Sequence, residues 1–254
     1  MGKYTYDELY PRSKNQLEYY NALGNLQNRI VIGIGPAGTG KTLFACQTAL
    51  EDLKTKQIKK IVITRPLISV EREDIGFLPG TMNDKMDPWT KPILDILCEL
   101  LNKETVEKMV MSGVIELSPL AYMRGRTFKD TFIIADEMQN SSPQQMQMLT
   151  TRIGYGSKLV INGDLQQSDY RRRTENGLQD LLNRIYMYRG EVESHFPSHQ
   201  QASGDIQIVH MNGTDIQRSP IVSTILSIYD YIPINRDEIS PSHYPSYRDD
   251  TMDD

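Results

Sequence analysis

Cysteine is nearly missing from this chain. Cys46 and Cys98 are the only two in 254 residues, too few for a disulfide framework or a cysteine-built zinc site. Long apolar runs are missing as well. None approaches the roughly 20 residues of a membrane-spanning helix. The N-terminal stretch carries Lys3, Asp7, Glu8, Arg12 and Lys14, unlike the apolar centre of a signal peptide. These absences predict a soluble, cytoplasmic protein with no membrane partner. There is no excess of positive charge either: 28 Lys and Arg face 33 Asp and Glu, a net charge of −5. That excludes a globally basic nucleic-acid binder. Six of the acids lie in residues 236–254, beside two arginines, so the rest of the chain is close to neutral. A local basic face stays open, and Arg171-Arg172-Arg173 is the densest basic run. His195, His199 and His210 have no metal-ligand spacing.

What is present centres on Gly35-Pro36-Ala37-Gly38-Thr39-Gly40-Lys41-Thr42, which fits G-x-x-x-x-G-K-[ST]. Residues 29–34 before it read as a buried parallel strand, and residues 43–50 after it read as a helix. In that context the glycines let backbone N–H groups curl around an anion. The helix N-terminus adds partial positive charge. Lys41 is expected to reach the β- and γ-phosphates of a nucleotide, and the Thr42 hydroxyl to ligate Mg²⁺.

The second anchor is 131–137, an apolar strand that ends in Asp136-Glu137. Asp136 is placed to hold Mg²⁺ and Glu137 to polarise the attacking water. A base beside the metal carboxylate favours hydrolysis over transfer to a bound acceptor. Core strands are expected at 59–64, 114–117, 157–162 and 206–210. Helices are expected from Ser13, from Asp87-Pro88, over 103–111, from Ser142-Pro143, from Asn176 and from Ser219. Asp87 is read as the cap of its helix. Gln16 can offer its amide to N6 and N7 of adenine. Gln166 or Gln167, beyond the 157–162 strand, is placed to sense the γ-phosphate. Arg124 and Arg126 suit phosphates. Residues 67–86 read as a long, charged functional loop.

Together these pieces resemble the PhoH family of ATPases related to superfamily 1 helicases. The resemblance runs from about residue 15 to 231. It rests on Asn15-Gln16, GPAGTGKT (35–42), TRP (64–66), GFLPG (76–80) with DP (87–88), YMRGRTF (122–128), ADEMQN (135–140), LTTRIGYGSKLVINGD (149–164) and DIQRSP (215–220). It departs at Met138, where alanine is common, and in the polar stretch 189–205. It implies one α/β, RecA-like P-loop domain, here over residues 15–232; by composition, the polar residues 1–14 read as a flexible arm and the proline-bearing, acidic residues 233–254 as a disordered tail. It also implies ATP with Mg²⁺, and a role in nucleic-acid remodelling.

Superfamily 1 helicases place ATP between two such domains, and this chain has room for one. A homo-oligomer, such as a hexameric ring, would complete the site. Arg218, Arg124 or Arg126 would then enter a neighbour's site as an arginine finger. The leading expectation is therefore an oligomeric ATPase acting on single-stranded RNA or DNA, with Thr64, Arg65 and the 67–86 loop as contacts. The alternative is an ATP-dependent switch or scaffold that recruits a protein partner without unwinding.

Overall fold

The computed structural model describes residues 9–66, 82–168, 176–195 and 205–216, and positions 221, 224, 225 and 228. The chain divides into two compact units, Met1–Gln217 and Arg218–Asp254. In the second unit Ile221, Thr224, Ile225 and Ile228 are helical.

Among the described residues six strands form one parallel sheet: β1 (Ile30–Ile34), β2 (Lys60–Thr64), β3 (Ile115–Leu117), β4 (Thr131–Ala135), β5 (Lys158–Gly163) and β6 (Ile206–His210). Their order is β3-β2-β4-β5-β1-β6. Parallel strands need long crossovers, so the helices cover both faces of the sheet. They are α1 (Lys14–Gly24), α2 (Lys41–Lys54), α3 (Met82–Leu100), α4 (Lys103–Met111), α5 (Pro143–Thr150) and α6 (Gly177–His195).

The period of two along each strand sorts the core into two layers. Val31, Ile61, Ile63, Phe132, Ile134 and Val160 join the layer that holds Tyr19, Phe44, Ile93 and Val106, on the side of α1 to α4. Ile32, Val62, Ile133, Leu159 and Ile161 join Met146, Leu149, Leu178 and Leu182 of α5 and α6. Phe132 is fully buried. Burying a side chain of that size stabilises by roughly 1.5–3 kcal/mol, so the strands are held from both sides.

The helix ends follow local chemistry. Ser13 Oγ accepts from Gln16 N–H at 3.1 Å and caps α1. Ser142 and Gln145 close a reciprocal capping box at α5, with Pro143 in its first turn. At the far end of α1, Lys158 of β5 reaches across and donates to the carbonyls of Leu23 and Asn25. It is a buried cation at a helix C-terminus.

Two helices differ from expectation. α3 starts at Met82, so Asp87 lies inside it and is not its cap. α6 runs on to His195, into the polar stretch 189–205. Periodic packing residues early in a helix do not mark how far its polar end continues. The basic run 171–173 and most of the 67–86 loop lie outside the described residues, and so does Arg218.

Candidate functional site

β1 and β4 are separated in the sheet only by β5. Their C-terminal ends therefore open onto one cleft, where open parallel sheets place ligands. The cleft holds about 210 Å³ and is lined by the phosphate loop, Asp136, Glu137, Gly163, Asp164, Gln167 and Ile96. That volume is smaller than the roughly 300–1,000 Å³ of a complete ligand pocket. It suits the phosphate end of a nucleotide.

The loop's geometry depends on its glycines. Gly40 caps α2 with φ at 86°, a conformation a side chain strains to adopt. A Cβ on Gly35 would come within 2.5 Å of the Met211 carbonyl oxygen. β6 thus braces the start of the loop.

Lys41 is folded back onto the loop. Its Nζ donates to the carbonyls of Gly35 at 2.6 Å and Pro36 at 2.8 Å. Pro36, Ala37 and Gly38 form the outer rim, and the Thr39 hydroxyl donates back to the Pro36 carbonyl at 3.0 Å. Burial lowers the Lys41 pKa, and the charges of Asp136, Asp164 and Glu137 oppose that shift.

Thr42 and Asp136 meet directly. Thr42 Oγ1 donates to Asp136 Oδ1 at 2.8 Å. The carboxylate is buried. A hydroxyl and a carboxylate oxygen at this separation are hard donors of the kind Mg²⁺ takes, so the pair fits that ion. Among the described residues no cluster of three or more His, Cys, Asp or Glu offers another metal site.

Glu137 is exposed and adopts a left-handed backbone, φ 56° and ψ 37°. For a non-glycine residue this is a strained position of the sort found at functional sites. Its Oε2 accepts from Gln139 Nε2 at 2.6 Å, and Gln139 Oε1 accepts from Asp164 N–H at 3.1 Å. Gln139 is buried and ties the acid pair to the turn after β5. The sequence motif ADEMQN (135–140) contains it, but its role depends on the turn after β5 that packs against it in space.

Several expected contacts are arranged differently. Gln16 does not present a free amide edge. Its Nε2 donates to the carbonyls of Thr39 at 3.2 Å and Asp215 at 3.0 Å, and its Oε1 accepts from Arg12 N–H at 2.8 Å. It clasps the phosphate loop to α1 and to the turn after β6. Thr64 is wholly buried, and Arg65 points inward, with Nε at 3.1 Å from Asp136 Oδ2 and Nη2 on the same oxygen. Thr64 is thus closed off from the surface, and Arg65, with its side chain 17% exposed, is engaged by Asp136. The reason is the parallel sheet: β2 pairs with β4, which sets the end of β2 beside Asp136.

Arg126 is taken too. It makes a two-pronged pair with Glu116, at 2.5 and 2.9 Å, and lies 4.5 Å over the Phe128 ring. Arg124 is exposed and lines a separate groove with Gly125, Gln144, Gln147 and Arg152. Gln166 is exposed and is not among the residues lining the cleft, whereas Gln167 is.

Parallel sheet, glycine loop at the end of β1 and acid pair at the end of β4 define a RecA-like P-loop protein. The chain belongs to the PhoH-like protein family, whose model matches residues 8–230. A PhoH-like protein of Mycobacterium tuberculosis is 41% identical over 222 residues, covering 86% of this chain and 57% of the relative. One of Bacillus subtilis is 39% identical over 219 residues, covering 86% and 63%. The chain thus spans about three fifths of the length of these relatives. Among solved structures, a Sulfolobus solfataricus SWI2/SNF2 ATPase core in complex with dsDNA aligns over 92% of this chain and 56% of its own. Its identity is 12% and its TM-score 0.46, too loose a likeness to bear on function. No helix among the described residues is long and apolar enough to cross a membrane.

Proposed function

We propose that this chain binds ATP with Mg²⁺ in the cleft and hydrolyses it, working as an oligomer that acts on single-stranded nucleic acid. The observation that carries the reading is the Thr42–Asp136 contact at 2.8 Å with Glu137 next in the chain. A metal-binding pair and a base then sit at the mouth of a phosphate loop.

The backbone N–H groups of the loop and the start of α2 bind the phosphates. Lys41 exchanges the carbonyls of Gly35 and Pro36 for phosphate oxygens. Thr42 and Asp136 hold Mg²⁺, which neutralises charge on the phosphates when it is bound. Glu137, held by Gln139, takes a proton from the attacking water. Of Gln166 and Gln167, Gln167 lines the cleft and takes the γ-phosphate sensing role.

A cleft of about 210 Å³ leaves base and ribose to be covered from elsewhere. A neighbouring copy is the economical source, and it would bring an arginine, with Arg218 and Arg124 as the candidates. With Arg65 turned inward, the groove of Arg124, Gln144, Gln147 and Arg152 is the better nucleic-acid surface, since arginine and amide groups bond phosphates and base edges.

The test is an ATPase assay on the full chain with and without single-stranded RNA, run beside a mass measurement with nucleotide present. RNA-stimulated, Mg²⁺-dependent turnover by an assembly of several 29.1 kDa copies is expected. Turnover that RNA leaves unchanged would favour a switch or scaffold. Full-rate hydrolysis by a monomer would remove the need for an arginine from a neighbour.

A further inference from the structure

A buried carboxylate needs a compensating charge, because leaving it unpaired in the interior is strongly destabilising. Asp136 has such a partner, and it is not one the nucleotide chemistry supplies. Both Nε and Nη2 of Arg65 bond its Oδ2, while Thr42 holds Oδ1. The Arg65 side chain is 17% exposed and that of Asp136 3%. The pair is therefore largely out of water, where charge counts most. Arg65 is itself held in place. Its carbonyl accepts from Leu120 N–H at 3.0 Å, and the preceding Thr64 carbonyl accepts from Asp136 N–H at 2.9 Å. Backbone bonds thus fix both ends of the pair. The division of the two carboxylate oxygens is specific: one faces Thr42, the other faces the guanidinium.

The geometry points to Arg65 as a stand-in cation. It neutralises Asp136 while the site is empty of metal and keeps Oδ1 turned toward Thr42, so that the metal-binding pair is preformed. Arg65 acts through Asp136 and is a positioning residue. This rests on the proposed reading of Thr42 and Asp136 as the Mg²⁺-binding pair. Its consequence is a reciprocal dependence. A divalent cation at Oδ1 supplies positive charge of its own, so Arg65 matters most to stability when metal is absent and less once Mg²⁺ and nucleotide are in place. A merely structural ion pair would matter equally in both states.

Thermal unfolding of the full chain separates these cases. Wild type, Arg65→Gln and Arg65→Lys are each melted in EDTA, in ADP with EDTA, and in ADP with Mg²⁺. In EDTA, Arg65→Gln is expected to melt about 6 °C or more below wild type, with Arg65→Lys between them. With Mg²⁺ and ADP the gap is expected to shrink by half or more. A gap that stays constant or widens overturns the proposal.

Should Arg65→Gln fail to fold, Arg65→Lys decides: its gap from wild type in EDTA is expected to shrink by half or more with Mg²⁺ and ADP, and a gap that stays constant or widens overturns the proposal. Binding of a fluorescent ADP to wild type is measured alongside. If wild type binds neither nucleotide nor Mg²⁺, the reading of the cleft itself is wrong. If wild type binds both and the gap is constant, only the role of Arg65 falls.

Discussion

Thr42 Oγ1 donates to Asp136 Oδ1 at 2.8 Å across 94 positions of sequence. The two residues belong to different elements: Thr42 lies in the first turn of α2, and Asp136 follows β4. Only the order of strands in the sheet brings them together. Changing either removes a donor from the metal-binding pair. Thr42→Ala is expected to bind ADP in EDTA as wild type does and to lose most of the affinity gained on adding Mg²⁺; Asp136→Asn is expected to lose that gain too and, because it leaves the Arg65 guanidinium unpaired, to be less stable than wild type. Titration with a fluorescent nucleotide at varied Mg²⁺ checks this.

Glu137 is the proposed base, and its carboxylate lies 2.6 Å from the Gln139 amide. Glu137→Gln keeps the shape and removes the basicity. Nucleotide affinity is expected to hold while turnover falls by about 10²–10⁴-fold, the usual worth of a positioned acid or base. Turnover near the wild-type rate in a steady-state phosphate-release assay would assign the base elsewhere.

The clasp of Gln16 on Thr39 and Asp215 separates two roles for one amide. Gln16→Ala leaves two buried carbonyls without their donor and is expected to cost about 1–3 kcal/mol in urea unfolding. A residue that served only to read adenine would lower discrimination of ATP from GTP and leave the unfolding midpoint in place.

Glu116 has a pH signature. Hydrogen bonding from Arg126, opposed by partial burial and aided by Lys60, pulls its carboxyl from 4.5 down to about 2. A depressed folded-state pKa contributes stability that is fully present above the unfolded value and is lost as pH falls through the folded one. This contribution is therefore complete above about pH 4.5 and fades toward pH 2. Arg126→Gln is expected to destabilise the chain at pH 7 and to narrow its difference from wild type as the pH drops through that window. Circular dichroism melts across pH 2–7 read both effects.

The phosphate loop was legible from the sequence because its chemistry is local. Gly40 must adopt a positive φ, Lys41 and Thr42 must follow it, and a strand and a helix must flank it, all within a few consecutive residues. The buried strands were legible for a related reason. Runs such as 132–135 and 159–161 are apolar at every position, and only a sheet covered on both faces buries every position. Capping residues Ser13 and Ser142 act within three residues of themselves and were equally visible.

The partners of the polar side chains were not visible in this way. Arg65 stands beside a strand end and Arg126 in a basic loop, and both read as free cations suited to phosphate. The pairing of β2 with β4 turned Arg65 onto Asp136, and the position of β3 beside β2 gave Glu116 to Arg126. Gln16 likewise read as an open amide until α1 was set against the phosphate loop. By itself the sequence determined what depends on neighbours in the chain: the glycine loop, the apolar strands, the helix caps and the acid pair. The tertiary structure alone decided which charges were already spent on one another, because an ion pair is a matter of distance in space, and sequence spacing does not encode it.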